Sequence, residues 1–373
     1  MSRAREVLCD LVAARGRGLV YEPRRLENLL KDLCPDEKVD VFVLVSALRT
    51  GIASQLLSSE PGASLFLADR LSRRLHDDCG FREAVARSAV ETWAAALGVF
   101  PAVCEEVVVC AQGNGHYPSI AQALRNVPPG ARLVVRPGIY AEEIVLDKPV
   151  EIIGPGATDA TQASSDRSEA IIESVSSTAL RMATTQAIVR GMSLQGKAGL
   201  GSRSVFAVDV SQGELLLDRC DISSRSLACV AIHGERTTPV LRHCRIHGAQ
   251  GSGVFVHDGG AGTIEECEIS GNALAGIEVG KAADPILRRC RITGGQQAGV
   301  YVSLGGAGFF EECEISHNGG AGVEIGWQGQ PILRRCRISQ NRTYGIKIYA
   351  GGASTVEDCD LAGNQLGAWN VEE

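Results

Sequence analysis

Seven thiols recur along the second half of the chain: Cys220, Cys244, Cys267, Cys290, Cys313, Cys336 and Cys359 are spaced by 24 and then five times by 23 residues. Thiols could hold a metal, pair as disulfides or act as nucleophiles. A zinc site needs ligands converging to ~2.3 Å from one ion, whereas equivalent residues of stacked repeats lie about 4.8 Å apart. Disulfides need a Cβ geometry that a flat ladder does not offer. The ladder is therefore expected to be structural, its thiols buried, reduced and packed. A second set has more chemical promise. Gly253, Gly276, Gly299, Gly322 and Gly345 each open an apolar–x–apolar triplet, and the middle residues are Phe255, Glu278, Tyr301, Glu324 and Lys347. With His257, Trp327 and Tyr349 just beyond them, these form a candidate binding strip for a sugar or a peptide.

The remaining chemistry is sparse. Seven scattered histidines assemble no Ser/His/Asp or Cys/His set, and the glycine-rich runs lack the lysine of a P-loop. No catalytic residue, metal or cofactor is assigned. Charge alternates around the cysteines, from Arg242-His243-Cys244-Arg245 to Glu265-Glu266-Cys267-Glu268 and on to Glu357-Asp358-Cys359-Asp360. Opposite charges then lie side by side on neighbouring coils and fix their register. Asn272, Asn318, Asn341 and Asn364, five residues after their cysteines, are expected as turn residues in the left-handed conformation.

Elements with two different periods must position these groups. Residues 1–100 carry helical spacing. Leu8, Leu11 and Val12 share one face of a first helix, and Pro23 opens a second with Leu26, Leu29, Leu30 and Leu33. A third starts at Pro35 and Asp36, with Val39, Phe42, Val43, Val45 and Leu48 inside and Gly51 at its end. Two more run from Phe66 to Leu75 and from Phe81 to Leu97. In residues 101–373 short β-branched runs alternate with Gly, Asn and Pro. A leucine-rich repeat is the rival for that region, since Leu333 to Asn341 fits its frame. The other half of each unit has strict period-two alternation instead of helical leucines, which describes two or three short strands per turn of a parallel β-helix. Segment 156–168 reads as a tolerated insertion, with a lid or contact loop as the alternative.

The 373 residues carry a net charge of −7, 45% hydrophobic and 22% charged residues. This is globular material of more than one domain, and the acidic balance disfavours a nucleic-acid partner. No apolar stretch approaches a membrane span. The opening residues Met1 to Asp10 mix acid and base where a signal peptide needs an apolar run, so the expected location is cytoplasmic.

The stretch from Gly113 to Leu124, followed by Pro137-Gly138-Ile139-Tyr140-Ala141-Glu142-Glu143-Ile144, resembles the opening of pectin-lyase-like right-handed β-helices, especially pectin methylesterases. That resemblance implies a capping helix near 119–125 and a right-handed parallel solenoid of roughly ten coils behind a small all-α domain. The N-terminal hundred residues resemble a helical module of multidomain bacterial proteins, which implies no activity. Pectin methylesterases carry a Gly-x-x-Asp-Phe-Ile-Phe-Gly run, which is missing here. Polygalacturonase motifs are missing too, apart from a faint echo at Gly345-Ile346-Lys347-Ile348. The expected function is accordingly a non-catalytic binding or scaffold protein. Its helical module would recruit a protein partner, and its β-helix would present a face for carbohydrate or peptide. The alternatives are a polysaccharide lyase, hydrolase or esterase with a divergent site, and a structural protein self-assembling through its C-terminal coil.

Overall fold

The computed structural model describes residues 2–58, 65–99, 106–157, 169–174, 178–197 and 206–372. Of the segment 156–168, only Gly156 and Ala157 lie among them. The chain divides into two compact units, Met1–Glu105 and Glu106–Glu373.

Helices α1 (Arg3–Arg15), α2 (Pro23–Leu33), α3 (Lys38–Arg49), α4 (Ile52–Leu57), α5 (Leu65–Cys79) and α6 (Glu83–Ala96), with a 3₁₀ turn at Arg17–Tyr21, build the first unit. Pro23 sits in the first turn of α2, where its missing N–H costs nothing. Glu37 accepts the free N–H groups of Arg3 and Ala4 at the start of α1 (3.1 and 2.6 Å). The buried Trp93 indole donates to the carbonyl of Leu44 (2.9 Å). The inward face of α3 differs from expectation. Val39 and Phe42 are 75% and 61% exposed, and Val41 and Leu44 are buried instead. The α3 run is apolar nearly all round, so periodicity alone does not select a face; Phe42 turns outward and meets Phe81 edge-to-face (5.8 Å between centroids). Gly51 ends α3, and at φ 78° it also opens the unforeseen α4.

The second unit is a parallel β-solenoid of about eleven turns, one more than expected. Its strands stack into sheets of eleven, ten and nine, every pairing parallel. The first coil, Glu106–Val109, pairs with Arg132–Val135. Helix α7 (Ile120–Asn126) buries Ile120, Ala123 and Leu124 over that end. Ser119 Oγ accepts the N–H of Gln122 (3.0 Å), and Glu142 accepts those of Ile120 and Ala121 (2.8 and 3.0 Å). The glutamate of the sequence motif thus caps the helix N-terminus. Among the described residues no helix is long and apolar enough to cross a membrane.

Inside each regular coil a cysteine and the isoleucine two residues later point to the core. Cys220 through Cys336 are 1–2% exposed, and only Cys359 in the last coil is partly open. Every described cysteine is a free thiol. Burial pushes Cys220, Cys244 and Cys267 well above the usual thiol range, so they persist as packing groups and not as thiolates. The residue before each ladder cysteine makes the corner: Arg219, His243, Glu266, Arg289, Glu312, Arg335 and Asp358 all lie at φ 50–54°. The asparagines do not take that role. Gly271, His317, Gln340 and Gly363 turn left-handed instead, and Asn272, Asn318, Asn341 and Asn364 point inward, 0–9% exposed. The reason is pairing. Asn318 Nδ2 donates to Asn341 Oδ1 (3.0 Å) and Asn341 Nδ2 to Asn364 Oδ1 (2.9 Å), each oxygen also taking a backbone N–H from the preceding coil.

Candidate functional site

The ten-strand sheet carries the outward strip. In its ladder Phe255, Glu278, Tyr301, Glu324 and Lys347 are successive register partners. Alternation along each strand explains why: the flanking Ile277/Val279, Val300/Val302 and Val323/Ile325 are wholly buried and force the middle residue out. The glycine before each triplet is needed for room. A Cβ at Gly299 would lie 2.4 Å from Ile315 Cγ2 and 2.7 Å from the Gly322 carbonyl.

Five residues of the strip line a cleft of about 680 Å³: Glu278, Tyr301, Glu324, Trp327 and Tyr349, joined by Gln297 and Glu372. That volume suits a small ligand or a few sugar rings. Trp327 is 63% exposed and offers an apolar face at the cleft wall. Glu278 and Glu324 stand on alternate coils with Tyr301 between them, so their backbones are about 9–10 Å apart. Their surroundings differ. Glu324 accepts the backbone N–H of Ala321 at Oε1 and the Tyr349 hydroxyl at Oε2, both at 3.3 Å. Burial, and then the negative charge of Glu324, raise the pKa of that phenol, so it stays a donor. Glu278 Oε2 accepts from the buried Ser252 hydroxyl (2.7 Å). Glu324 thus takes two donors and Glu278 one.

Lys347 sits at the rim. Its ammonium pairs with Glu372 Oε1 (2.8 Å) and lies 4.5 Å from the centre of the Tyr349 ring. The Glu372 hydrogen bond is the main reason its pKa is raised. Phe255 and His257 are not among the cleft's lining residues. They stack on each other (4.2 Å), and His257 stacks on His233 (5.0 Å). Both imidazoles hold carboxylates, His233 to Asp209 (2.9 Å) and His257 to Asp258 (2.6 Å). Sequence reasoning missed Glu372 and Gln297. Glu372 follows the last strand, Gly367–Val371, beyond the reach of the 23-residue period, and Gln297 lies in a turn. His233 carries a signal that was passed over: Val230-Ala231-Ile232-His233 repeats the alternation, with Cys229 in place of the opening glycine.

Among the described residues no group of three or more His, Cys, Asp or Glu is placed to hold a metal ion.

A parallel solenoid with a helix over its first coil is the architecture of the pectin-lyase-like right-handed β-helix superfamily, and two family-model matches across residues 106–373 support that class. Within it, residues 106–275 match the family model described as "Pectinesterase" and residues 228–373 that described as "Right handed beta helix region". Similar solved structures include a pectin methylesterase from Aspergillus niger, 17% identical over 71% of this chain and 87% of that one, with a TM-score of 0.45. The A-module of a mannuronan C-5 epimerase from Azotobacter vinelandii is 14% identical over 67% and 90%, with a TM-score of 0.40. A pectate lyase is 14% identical over 66% and 68%, with a TM-score of 0.43. The pectinesterase match does bear on function, and it overturns the expectation of a non-catalytic binding or scaffold protein in favour of a carbohydrate-active enzyme. That expectation rested on missing motifs, which describe one arrangement of a site and not every site the fold can carry.

Proposed function

We propose that the protein is a polysaccharide-acting enzyme, a glycoside hydrolase whose site is the cleft on the ten-strand sheet. The observation that carries this is the pair Glu278 and Glu324, two coils apart across Tyr301, beside the exposed Trp327. Glycoside hydrolysis needs one carboxylic acid and one carboxylate on opposite sides of the scissile bond. Glu278 protonates the departing glycosidic oxygen, which leaves as an alcohol. Glu324 takes a proton from a water that attacks the anomeric carbon from the other face. Trp327 and Tyr349 stack against sugar faces and hold the chain. Most of the cleft lies outside the segment that matches the pectinesterase family, which accounts for its different residue set.

The test is release of new reducing ends from a panel of oligosaccharides. Glu278→Gln and Glu324→Gln should each lower kcat by ~10²–10⁴ with an unchanged melting temperature. Turnover unaffected by either change would refute the site. The pectinesterase match favours a second reading, ester hydrolysis on a polysaccharide; methanol release from a methyl-esterified substrate without chain cleavage would select it.

A further inference from the structure

The charge of the cleft restricts what sugar it takes. Its lining residues include three carboxylates, Glu278, Glu324 and Glu372, and no Lys or Arg. Lys347, the cation of the strip, is already committed to Glu372 Oε1 and to the face of Tyr349. Glu324 accepts from two donors, the Ala321 N–H and the Tyr349 hydroxyl, and neither carries a positive charge. Counting Lys347 against the three carboxylates leaves an excess of negative charge. A sugar bearing its own carboxylate would enter against like charge, with no guanidinium or ammonium among the lining residues to receive it. An amino-bearing sugar would instead find acceptors on two sides. Hydroxyls of a neutral sugar can donate to the same oxygens and stack on Trp327.

We infer that the cleft selects glycans free of carboxylates, amino-bearing ones most of all, and rejects polyuronates. This rests on the hydrolase reading of the same cleft and adds the substrate class to it.

Three oligomers of equal length serve as probes: a β-1,4-linked glucose oligomer, a chitosan oligomer and an oligogalacturonate. Titration calorimetry at low salt should rank them chitosan, then glucose oligomer, with the galacturonate at least ~10-fold weaker, and the spread should shrink as salt screens the site. Glu372→Gln frees Lys347 and should narrow the chitosan-over-galacturonate ratio several-fold. Trp327→Ala should weaken all bound oligomers alike and leave the ratio intact. Galacturonate binding as tightly as the others, in a manner lost in Trp327→Ala, overturns the charge selection while keeping the cleft as the sugar site. An unchanged ratio in Glu372→Gln also overturns it. Failure of every oligomer to bind or be cleaved removes the hydrolase reading itself, and the selection with it.

Discussion

Asn272 shows how much a single residue can reveal about the repeat. Its Nδ2 is wholly buried without a hydrogen-bond partner, although Asn318 and Asn341 donate theirs to the asparagine of the next coil. The next coil from Asn272 carries Gly295, whose N–H donates to Asn318 Oδ1 (3.1 Å), so the ladder has a gap there. A buried amide left unsatisfied costs about 1–3 kcal/mol. Gly295→Asn would supply the missing oxygen. A Cβ at Gly295 meets Asn318 Oδ1 at 3.3 Å and the Leu274 carbonyl at 3.4 Å, tight but open to small adjustment. The variant should be more stable by about 1 kcal/mol, seen as a higher urea midpoint with an unchanged m-value. A lower midpoint would show that the gap is filled in another way. The asparagines also mark a limit of the sequence. Their spacing was plain, but turn propensity placed them at the corner, because a side chain that pairs only with its own copy one coil away leaves no local signature.

Opposite charges run along the whole eleven-strand sheet: Glu106, Arg132, Glu151, Arg190, Asp218, Arg242, Glu265, Arg288, Glu311, Arg334 and Glu357 alternate in sign, one per strand. Its two halves differ. From Glu265 onward the pairs are largely exposed, as with Arg288–Glu311 (3.2 Å) and Arg334–Glu357 (3.6 Å), and each contributes ~0–1 kcal/mol. Upstream they are buried: Glu151, Arg190, Asp218 and Arg242 have side chains at most 6% exposed. Asp218 bonds the guanidinium groups of Arg190 and Arg242 and the ring of His243. Burial works to raise its pKa, but the hydrogen bonds from His243 and Arg242 and the charges of Arg242 and Arg190 outweigh it and hold the carboxyl far below the usual range. A depressed folded pKa means that this stability is present above the unfolded value of ~3.9 and is lost as pH falls through the folded one. Asp218→Asn should therefore cost about 3–5 kcal/mol at neutral pH, since it leaves two buried guanidiniums short of charge, and flatten the stability–pH curve below pH 4. Arg334→Ala should cost under ~1 kcal/mol. Denaturant melts from pH 3 to 7 check both, and equal costs would show that burial does not set the strength of the stripe. The sequence displays only the exposed half, where a constant 23-residue period aligns the triplets. Upstream, Arg132 to Glu151 spans 19 residues, Glu151 to Arg190 39, and Arg190 to Asp218 28, so irregular coil lengths hide the same pattern.

At the scale of the whole molecule, the period of the repeat fixes both the core and the position of the site. Twenty-three residues per coil return the same outward position to one line, and Glu278, Tyr301 and Glu324 become neighbours through stacking alone. That line was legible from period-two alternation. What was not legible is where along it a concavity forms, since Trp327 and Tyr349 lie outside the triplets and Glu372 comes from the final coil. Motifs were a poor guide to activity for a related reason: a solenoid can place an acid–base pair on any two coils, with no fixed local sequence around either residue. The spacing itself makes a stereochemical claim. Carboxyl groups about 5–5.5 Å apart give retention through a covalent intermediate, while ~6.5–9.5 Å leaves room for a water and gives inversion. Glu278 and Glu324, on alternate coils with backbones about 9–10 Å apart and bonded outward to Ser252 and Tyr349, are too far apart for the first case and leave the room for water that the second needs. Proton NMR of the anomer released in the first minutes of hydrolysis, before mutarotation, tests this directly. The account predicts a product of inverted configuration whose formation is abolished by Glu324→Gln. A retained anomer, or an inverted one still formed by Glu324→Gln at the parental rate, would contradict it.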